Sequence, residues 1–163
     1  ILATAFITDT AEPKSQSNEK EVLSKWMGSW KTDIVVKPAA WTPKGYKVSG
    51  TTGTEWILRG QFQQISGNFG KQQIQEIQRF DHMSNRFHKW TFNSDGATSF
   101  WTGNWIEESL TMTWTYVDFG FGLEGEISDR FTSGGEYEST VVLRDGTGNT
   151  LLDVQSKHRR SSP

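Results

Sequence analysis

The sequence predicts an all-β protein, a single antiparallel up-and-down β-barrel of about ten strands with a short N-terminal helix. The first observation is its length, because 163 residues are the size of one domain with a substantial core. The second is that strand-like runs recur at intervals of roughly 8–12 residues, with turn residues and no helical crossovers between them. The third is that an up-and-down sheet keeps two exposed edges unless its first and last strands pair, which favours closure.

The helix is predicted at Asn18–Met27, where the patterned part of the chain begins. Asn18 can cap the first turn, and Glu21 stands three residues later, where a capping-box partner belongs. Gly28 is the type of residue that commonly ends a helix. The apolar side chains share one face at helical spacing: Val22, Leu23, Trp26 and Met27. Because a helix this short is marginal in water, this face is expected to dock on one end of the barrel.

Ten strand-like runs follow the helix and fill most of the remaining sequence. Pro38 and Pro43 mark a loop after the first run, because proline cannot donate to a β-ladder. Asp95-Gly96 predicts a hairpin, since glycine accepts the positive φ of a tight turn. The predicted strands are Trp30–Val36, Tyr46–Arg59, Gln61–Phe69, Gln72–Phe80, Arg86–Asn93, Thr98–Ile106, Ser109–Val117, Phe121–Phe131, Glu136–Arg144 and Asn149–Lys157. The glutamines between Gln61 and Gln78 are interpreted as mostly solvent-facing wall positions.

Composition and charge disfavour several function classes. The formal net charge of −2 gives no net attraction for nucleic acid, so no nucleic-acid partner is predicted. The chain has no cysteine, which excludes disulfides, thiolate metal sites and cysteine nucleophiles. No run of about 18 apolar residues occurs, and no membrane-spanning helix is predicted. The sequence also lacks the hydrolase, P-loop and dinucleotide-binding motifs.

The two ends of the chain are set apart from the barrel, which is predicted to span residues 18–158. Residues 1–17 begin with the apolar segment Ile1–Ile7 and continue as a polar run. One interpretation is the remnant of a secretory signal with an Ala-x-Ala cleavage site, which would indicate a secreted or periplasmic protein. The other is a disordered or edge-pairing N-terminus, and the localisation therefore stays unassigned. Residues 159–163 are interpreted as a solvated tail.

Aromatic side chains on the strands indicate an interior cavity. Ser109–Val117 separates apolar residues from threonines, whereas Thr98–Ile106 is apolar on both faces. A barrel of about ten strands is too wide for side chains to fill, and aromatic walls with a few polar groups are typical of ligand pockets. The alternative is a filled core with aromatic residues on the surface. The residues predicted to line the cavity are His88, Trp90, Trp101, Trp105, Trp114, Tyr116 and Arg130, with Trp30 at the closed end.

Five sequence features occur together in an order that resembles a known family. They are Gly28-Ser29-Trp30 after a short helix, Trp56–Gly60, Phe80-Asp81, Lys89–Gly96 and Thr102-Gly103. Gly-x-Trp on the first strand is similar to the calycin superfamily, and the whole set resembles the DUF1579 family of lipocalin-like bacterial proteins, which have no assigned function. The family usually has Gly-Tyr-Asp where this chain has Arg79-Phe80-Asp81. The resemblance implies a lipocalin-like barrel with a central cavity, and it brings no catalytic residues.

The predicted function is binding of a small hydrophobic or amphipathic ligand in the barrel cavity. The alternative is a barrel enzyme of the cyclase or isomerase type, in which a cavity histidine or carboxylate acts as general acid or base. The carboxylates considered for that role are Glu55, Glu124, Glu126, Asp129, Glu136, Glu138 and Asp153. Pairing of these groups with arginine on the outer wall is the competing interpretation.

Cofactor and partner predictions follow from the histidines and exposed aromatic residues. The spacing of His82, His88 and His158 does not match a metal site, and no metal or other cofactor is predicted. Two less favoured hypotheses are haem ligation by His88 or His158 and stacking of a sugar on Trp41. The predicted partner is a small hydrophobic molecule, and a homodimer is left open.

Overall fold

A computed structural model describes residues 18–132 and 135–161, which form ten antiparallel strands closed into one barrel. The strand order around the barrel follows the sequence, and the first strand pairs with both the second and the tenth. The predicted fold class, the closure and the short helix are confirmed. The strands are β1 Gly28–Val36, β2 Tyr46–Ile57, β3 Phe62–Phe69, β4 Gln72–Asp81, β5 Arg86–Asn93, β6 Thr98–Ile106, β7 Thr111–Tyr116, β8 Leu123–Phe131, β9 Glu136–Asp145 and β10 Thr150–Arg160.

The helix α1 spans Glu19–Ser24 and is shorter than the sequence predicts. Its N-terminus has the predicted cap, in which the Asn18 side chain accepts a hydrogen bond from the Lys20 backbone N–H at 3.1 Å. Val22 and Leu23 are buried, and the Gln63 side chain of β3 donates to the Leu23 carbonyl at 2.8 Å. The helix therefore docks on one end of the barrel, as its apolar face predicts.

Tryptophans close the barrel beneath the helix. The Trp30 indole N–H donates to the Trp26 carbonyl at 2.8 Å, and both side chains are almost fully buried. Trp26 meets Phe131 edge to face at 4.6 Å between ring centroids, and Trp30 meets Tyr137 in the same way at 5.0 Å. These contacts join the turn after the helix and β1 to β8 and β9. Trp30 thus lies at the closed end, where the sequence places it.

The strand boundaries differ from the predicted ones where the backbone enters the left-handed region. β2 ends at Ile57 because Leu58 and Arg59 have φ values of 49° and 60°. β7 begins only at Thr111 because Leu110 has a φ of 50°. Non-glycine residues in this conformation end a ladder, since the chain turns away from its neighbour.

The last strand extends into the segment that the sequence predicts to be a tail. Arg159 and Arg160, which the sequence analysis assigns to a tail, are the last residues of β10. Arg159 also forms ion pairs with Asp33 and Glu136 on the neighbouring strands. The predicted N-terminal segment 1–17 lies outside the described residues. Among the described residues, no helix is long and apolar enough to cross a membrane.

The barrel has two unlike ends. The α1 end carries the turns that follow β2, β4, β6 and β8. The opposite end, which we call the mouth, carries the loops that follow β1, β3, β5, β7 and β9. The predicted Asp95-Gly96 turn lies at the mouth, where Gly96 has a φ of 91° and its N–H donates to the Asn93 carbonyl. Loops at the mouth also expose Trp41, Phe119 and Phe121.

Candidate functional site

An interior cavity of about 300 Å³ lies inside the barrel. Trp26 reaches it from beneath α1, and residues near the mouth such as Asn93 and Leu152 line its other end. Much of its wall is apolar, contributed by inward positions of β1, β3, β4, β8, β9 and β10. These residues are Ile34, Ile65, Phe69, Ile74, Ile127, Val141, Leu143, Leu152 and Val154. The barrel therefore has room for a small molecule and a surface that favours an apolar one.

The charged part of the cavity wall is a buried ion cluster centred on Lys89. The Lys89 side chain is 4% exposed, and its Nζ lies 3.5 Å from Glu76 Oε2 and 3.6 Å from Asp129 Oδ2. The same ammonium lies over the Trp114 ring, 4.4 Å from the ring centroid. The Trp114 indole N–H in turn donates to Asp129 Oδ2 at 3.0 Å. Four strands, β4, β5, β7 and β8, thus contribute to one cluster.

Lys89 is held in its charged form despite its burial. Burial alone would lower the pKa of Lys89, but the nearby Glu76 and Asp129 carboxylates outweigh it and raise the pKa. The two carboxylates differ in their access to the cavity. The Asp129 side chain is 4% exposed, whereas that of Glu76 is 22% exposed. Glu76 is consequently the carboxylate that a molecule in the cavity would meet first.

Tyr137 and His158 lie beside the ion cluster as a stacked pair. Their rings are parallel within 5°, with centroids 3.9 Å apart. His158 Nδ1 is 2.9 Å from Thr32 Oγ1, and His158 Nε2 is 2.8 Å from Ser156 Oγ. Burial, followed by the charges of Asp129 and Glu76, raises the pKa of Tyr137 well above its usual value. Tyr137 is therefore a neutral hydroxyl at pH 7.

His158 is neutral at pH 7 for the same physical reason. Burial lowers the pKa of His158 to about 4, with Asp129 opposing the shift and Lys89 adding to it. Both ring nitrogens already have hydroxyl partners. The ring is consequently fixed as part of the cavity wall.

The depressed pKa of His158 predicts a loss of stability in mild acid. The unfolded chain takes up a proton on this ring near pH 6.5, whereas the folded chain does so only near pH 4. The free energy of unfolding is therefore expected to fall by about 2 kcal/mol between pH 7 and pH 5. Urea unfolding at the two pH values measures it. His158→Gln should remove most of the fall, while His82→Gln at an exposed turn should retain it; an equal fall in all three proteins would refute the assignment.

Five of the predicted cavity residues point inward, and one of them lines the cavity directly. Trp101 is buried and forms part of the cavity wall. Tyr116 packs edge to face on Trp101 at 5.3 Å between centroids. Trp114 lies beneath Lys89, and Trp105 lies at the α1 end, where its indole N–H donates to Glu107. Together with Trp30 at the closed end, these residues support the wall of the cavity. Whether they bind a ligand stays a prediction.

The other three predicted residues, His88, Trp90 and Arg130, lie on the outer wall. Trp90 stacks on Phe100 with centroids 5.1 Å apart, and the His88 ring lies 5.8 Å from Trp90. Arg130 is exposed and forms an ion pair with Glu138. The alternation of β5 is thus the reverse of the predicted one, with Lys89 inside and its neighbours outside. The reason is that the counter-charges of Lys89 come from other strands, Glu76 from the preceding strand β4 and Asp129 from β8.

The site also contains polar residues that sequence reasoning missed. Glu76 and Lys89 were not among the candidates, although Asp129 was. Gln63 and Gln78, interpreted as solvent-facing, are fully buried and hydrogen-bonded to each other at 2.6 Å. The sequence does show that Gln78 and Ile77 point to opposite faces of β4. Alternation alone, however, does not say which of the two faces the barrel interior. No group of three or more His, Asp or Glu residues in the described part of the chain is placed to hold a metal ion.

The fold and the site together define a class: closed β-barrels with an interior cavity, an architecture consistent with binding a small molecule. No family model and no curated protein matches the chain, so its resemblance to the DUF1579 family stays a prediction. Among solved structures, the chain is similar to Rv2717c from M. tuberculosis, with a TM-score of 0.67 and 11% identity over 90% of this chain and 99% of that chain. This likeness shows a shared fold.

A second solved structure aligns with the chain but is too distant to carry an argument. It is a DUF3598-family protein of unknown function from Nostoc punctiforme PCC 73102. The alignment covers 90% of this chain and 100% of that chain, with 6% identity and a TM-score of 0.29.

Proposed function

We propose that the protein binds a small hydrophobic or amphipathic molecule in the barrel cavity. The observation that carries the proposal is a cavity of about 300 Å³ with apolar walls and one buried ion cluster. Cavities of this kind give affinity through the apolar wall and orientation through a few polar groups. The volume is at the lower end of the range for ligand sites, roughly 300–1,000 Å³. The ligand is accordingly a small one.

Entry through the mouth fits the arrangement of the barrel ends. The α1 end is closed by Trp26 and Trp30, both 1% exposed. The mouth lies opposite, and its loops expose apolar side chains, with Trp41 at 55%, Phe119 at 68% and Phe121 at 76%. An apolar molecule approaching the mouth therefore meets aromatic surface before it reaches the cavity.

An enzyme using acid/base catalysis is the second candidate, and the buried carboxylates beside Tyr137 favour it. A general acid or base works best when its pKa is near the working pH. The pKa of Tyr137 is raised well above its usual value, and that of His158 is lowered to about 4. Both Glu76 and Asp129 are paired with Lys89. These environments support binding more strongly than proton transfer.

Haem and sugar binding receive less support from the same residues. Haem ligation needs a free imidazole nitrogen, but His158 has partners on both nitrogens and His88 lies on the outer wall. Trp41 is exposed at the mouth, and a sugar site there would depend on this one ring. Binding inside the cavity rests on a larger and better enclosed surface.

Methyl NMR tests whether a ligand enters the cavity. We expect the uncharged dye N-phenyl-naphthylamine to shift the methyl resonances of inward residues, because its aromatic rings would lie against them. The reporters are Ile34, Ile65, Ile74, Val141 and Val154. The controls are Val35 and Val142, which lie on the outer side of the same strands as Ile34 and Val141. Shifts confined to the controls, or no shifts at saturating dye, would contradict the proposal.

A further inference from the structure

We propose that the molecule bound in the cavity is an amphipathic amine whose ammonium group contacts the Glu76 carboxylate. This inference rests on the proposed function and adds the chemical class of the ligand. The apolar part of the amine would extend from Glu76 toward the mouth, along Ile74 on the same strand and Leu152 and Val154 on β10. Four observations support the assignment: the net charge of the cavity wall, the state of Lys89, the exposure of Glu76 and the free hydroxyl of Tyr137.

The charged groups that line the cavity do not sum to zero. Within the described part of the chain, Lys89 is the only lysine or arginine on the cavity wall, whereas Glu76 and Asp129 both line it. One positive and two negative groups leave a net charge of −1. A buried charge without a counter-charge is costly in a medium of low dielectric constant. A bound cation neutralises this wall, whereas a bound carboxylate would raise its charge to −2.

Lys89 is a poor site for an anionic ligand, because its ammonium is buried and already paired with two carboxylates. An ammonium group has three N–H donors. Lys89 Nζ already forms ion pairs with Glu76 at 3.5 Å and Asp129 at 3.6 Å, and the Trp114 ring centroid lies 4.4 Å from it. The Lys89 side chain is also only 4% exposed. A ligand carboxylate would have to displace one of these partners before it could pair with Lys89.

Glu76 and Tyr137 offer unused acceptors to the cavity. Only one Glu76 oxygen, Oε2, contacts Lys89, and a carboxylate can accept about four hydrogen bonds in all. Its side chain is 22% exposed. Tyr137 is 5% exposed and lines the cavity, and its hydroxyl has no hydrogen-bond partner among the described residues. An ammonium group has three donors, enough for the carboxylate and for a second acceptor such as the phenol oxygen, which lines the same cavity.

Competition with three ligands of equal chain length tests the inference. Octylamine, octanol and octanoate would each displace N-phenyl-naphthylamine from the wild-type protein near pH 7, where the amine is protonated. We expect octylamine to bind about tenfold more tightly than octanol, and octanoate to bind most weakly. Glu76→Gln should abolish the preference for the amine, because it makes the wall neutral. Glu55→Gln, the same substitution at an exposed position of β2, should leave the preference unchanged.

The outcomes separate this inference from the proposed function. If the dye binds but octanoate competes as well as octylamine, or if Glu76→Gln keeps the preference for the amine, the amine assignment is wrong and the cavity site stands. If neither the dye nor any octyl compound binds, the proposed function itself fails. Circular dichroism establishes whether Glu76→Gln is folded. If it is not, the order of the three ligands on the wild-type protein still decides the question.

Discussion

Lys89→Met is expected to lower the free energy of unfolding by about 3–5 kcal/mol. The substitution preserves much of the side-chain volume but removes the ammonium that Glu76 and Asp129 share at 3.5 and 3.6 Å. Two carboxylates then remain inside the barrel without their shared counter-charge, which is costly in a medium of low dielectric constant. Urea unfolding at pH 7 measures the loss, which would be among the largest for a single substitution in this protein.

Two further variants show that the loss comes from burial of charge. Lys157→Met removes a lysine whose side chain is 42% exposed and pairs with Glu136 at 3.3 Å. That change should cost about 1 kcal/mol or less, because solvent screens the pair. The double variant Lys89→Met/Asp129→Asn should recover part of the lost stability, since it removes one of the two unpaired charges. A cost for Lys89→Met no greater than that for Lys157→Met would contradict the buried cluster.

Local sequence patterns were sufficient to predict the fold. The Asn18 cap, the Asp95-Gly96 hairpin and the spacing of the strand-like runs each act within a few residues of the chain. Closure followed from the need to pair the first and last strands. In the structure β1 and β10 are paired from the Trp30–Arg160 pair at one end to the Val36–Val154 pair at the other. The cap, the turn and the strand spacing could be predicted because short-range chemistry determines them, whereas closure was inferred from the cost of exposed sheet edges.

The orientation of β5 shows where local patterns fail. Alternation separates Phe87, Lys89 and Thr91 from their neighbours but does not say which set faces the cavity. The tryptophan at position 90 favoured the wrong set, because large aromatic residues are usually buried. Trp90 instead covers the outer wall by stacking on Phe100 of the next strand. An inward lysine is stable here because Glu76 of β4 and Asp129 of β8 supply carboxylates. The sequence of β5 by itself does not show these partners.

Buried glutamines illustrate the same limit. Gln78 donates to Gln63 at 2.6 Å, and Gln63 donates to the Leu23 carbonyl at 2.8 Å. These bonds join β4, β3 and the helix, so the burial of each amide depends on a partner in another element of the fold. Whether a polar residue on a strand is buried can therefore be predicted from sequence only when its hydrogen-bond partners lie nearby in the chain.

Val141→Trp is expected to abolish most ligand binding by filling the cavity. Val141 lines the cavity wall, and its cross-strand neighbours Ile127 and Val154 line it as well. An indole at this position would project into the space that the ligand occupies, so the affinity for N-phenyl-naphthylamine should fall by more than about tenfold. Because the ring enters an existing cavity, the cost in stability should be small compared with overpacking of a filled core.

Val142→Trp is the matched control on the same strand. Val142 faces away from the cavity, and its partners Glu126 and Asp153 are on the adjacent strands β8 and β10. The same increase in side-chain size there should change the affinity by no more than about twofold, because the indole would lie outside the barrel. Melting curves of both variants establish that each remains folded at the titration temperature.

Fluorescence titration of N-phenyl-naphthylamine against these two variants and the wild-type protein is the most direct test that the barrel interior is the binding site. Binding inside the barrel predicts a dissociation constant more than about tenfold weaker for Val141→Trp and nearly unchanged for Val142→Trp. Equal affinities in all three folded proteins, or a greater loss in Val142→Trp, would place the ligand outside the barrel and contradict the cavity as the functional site.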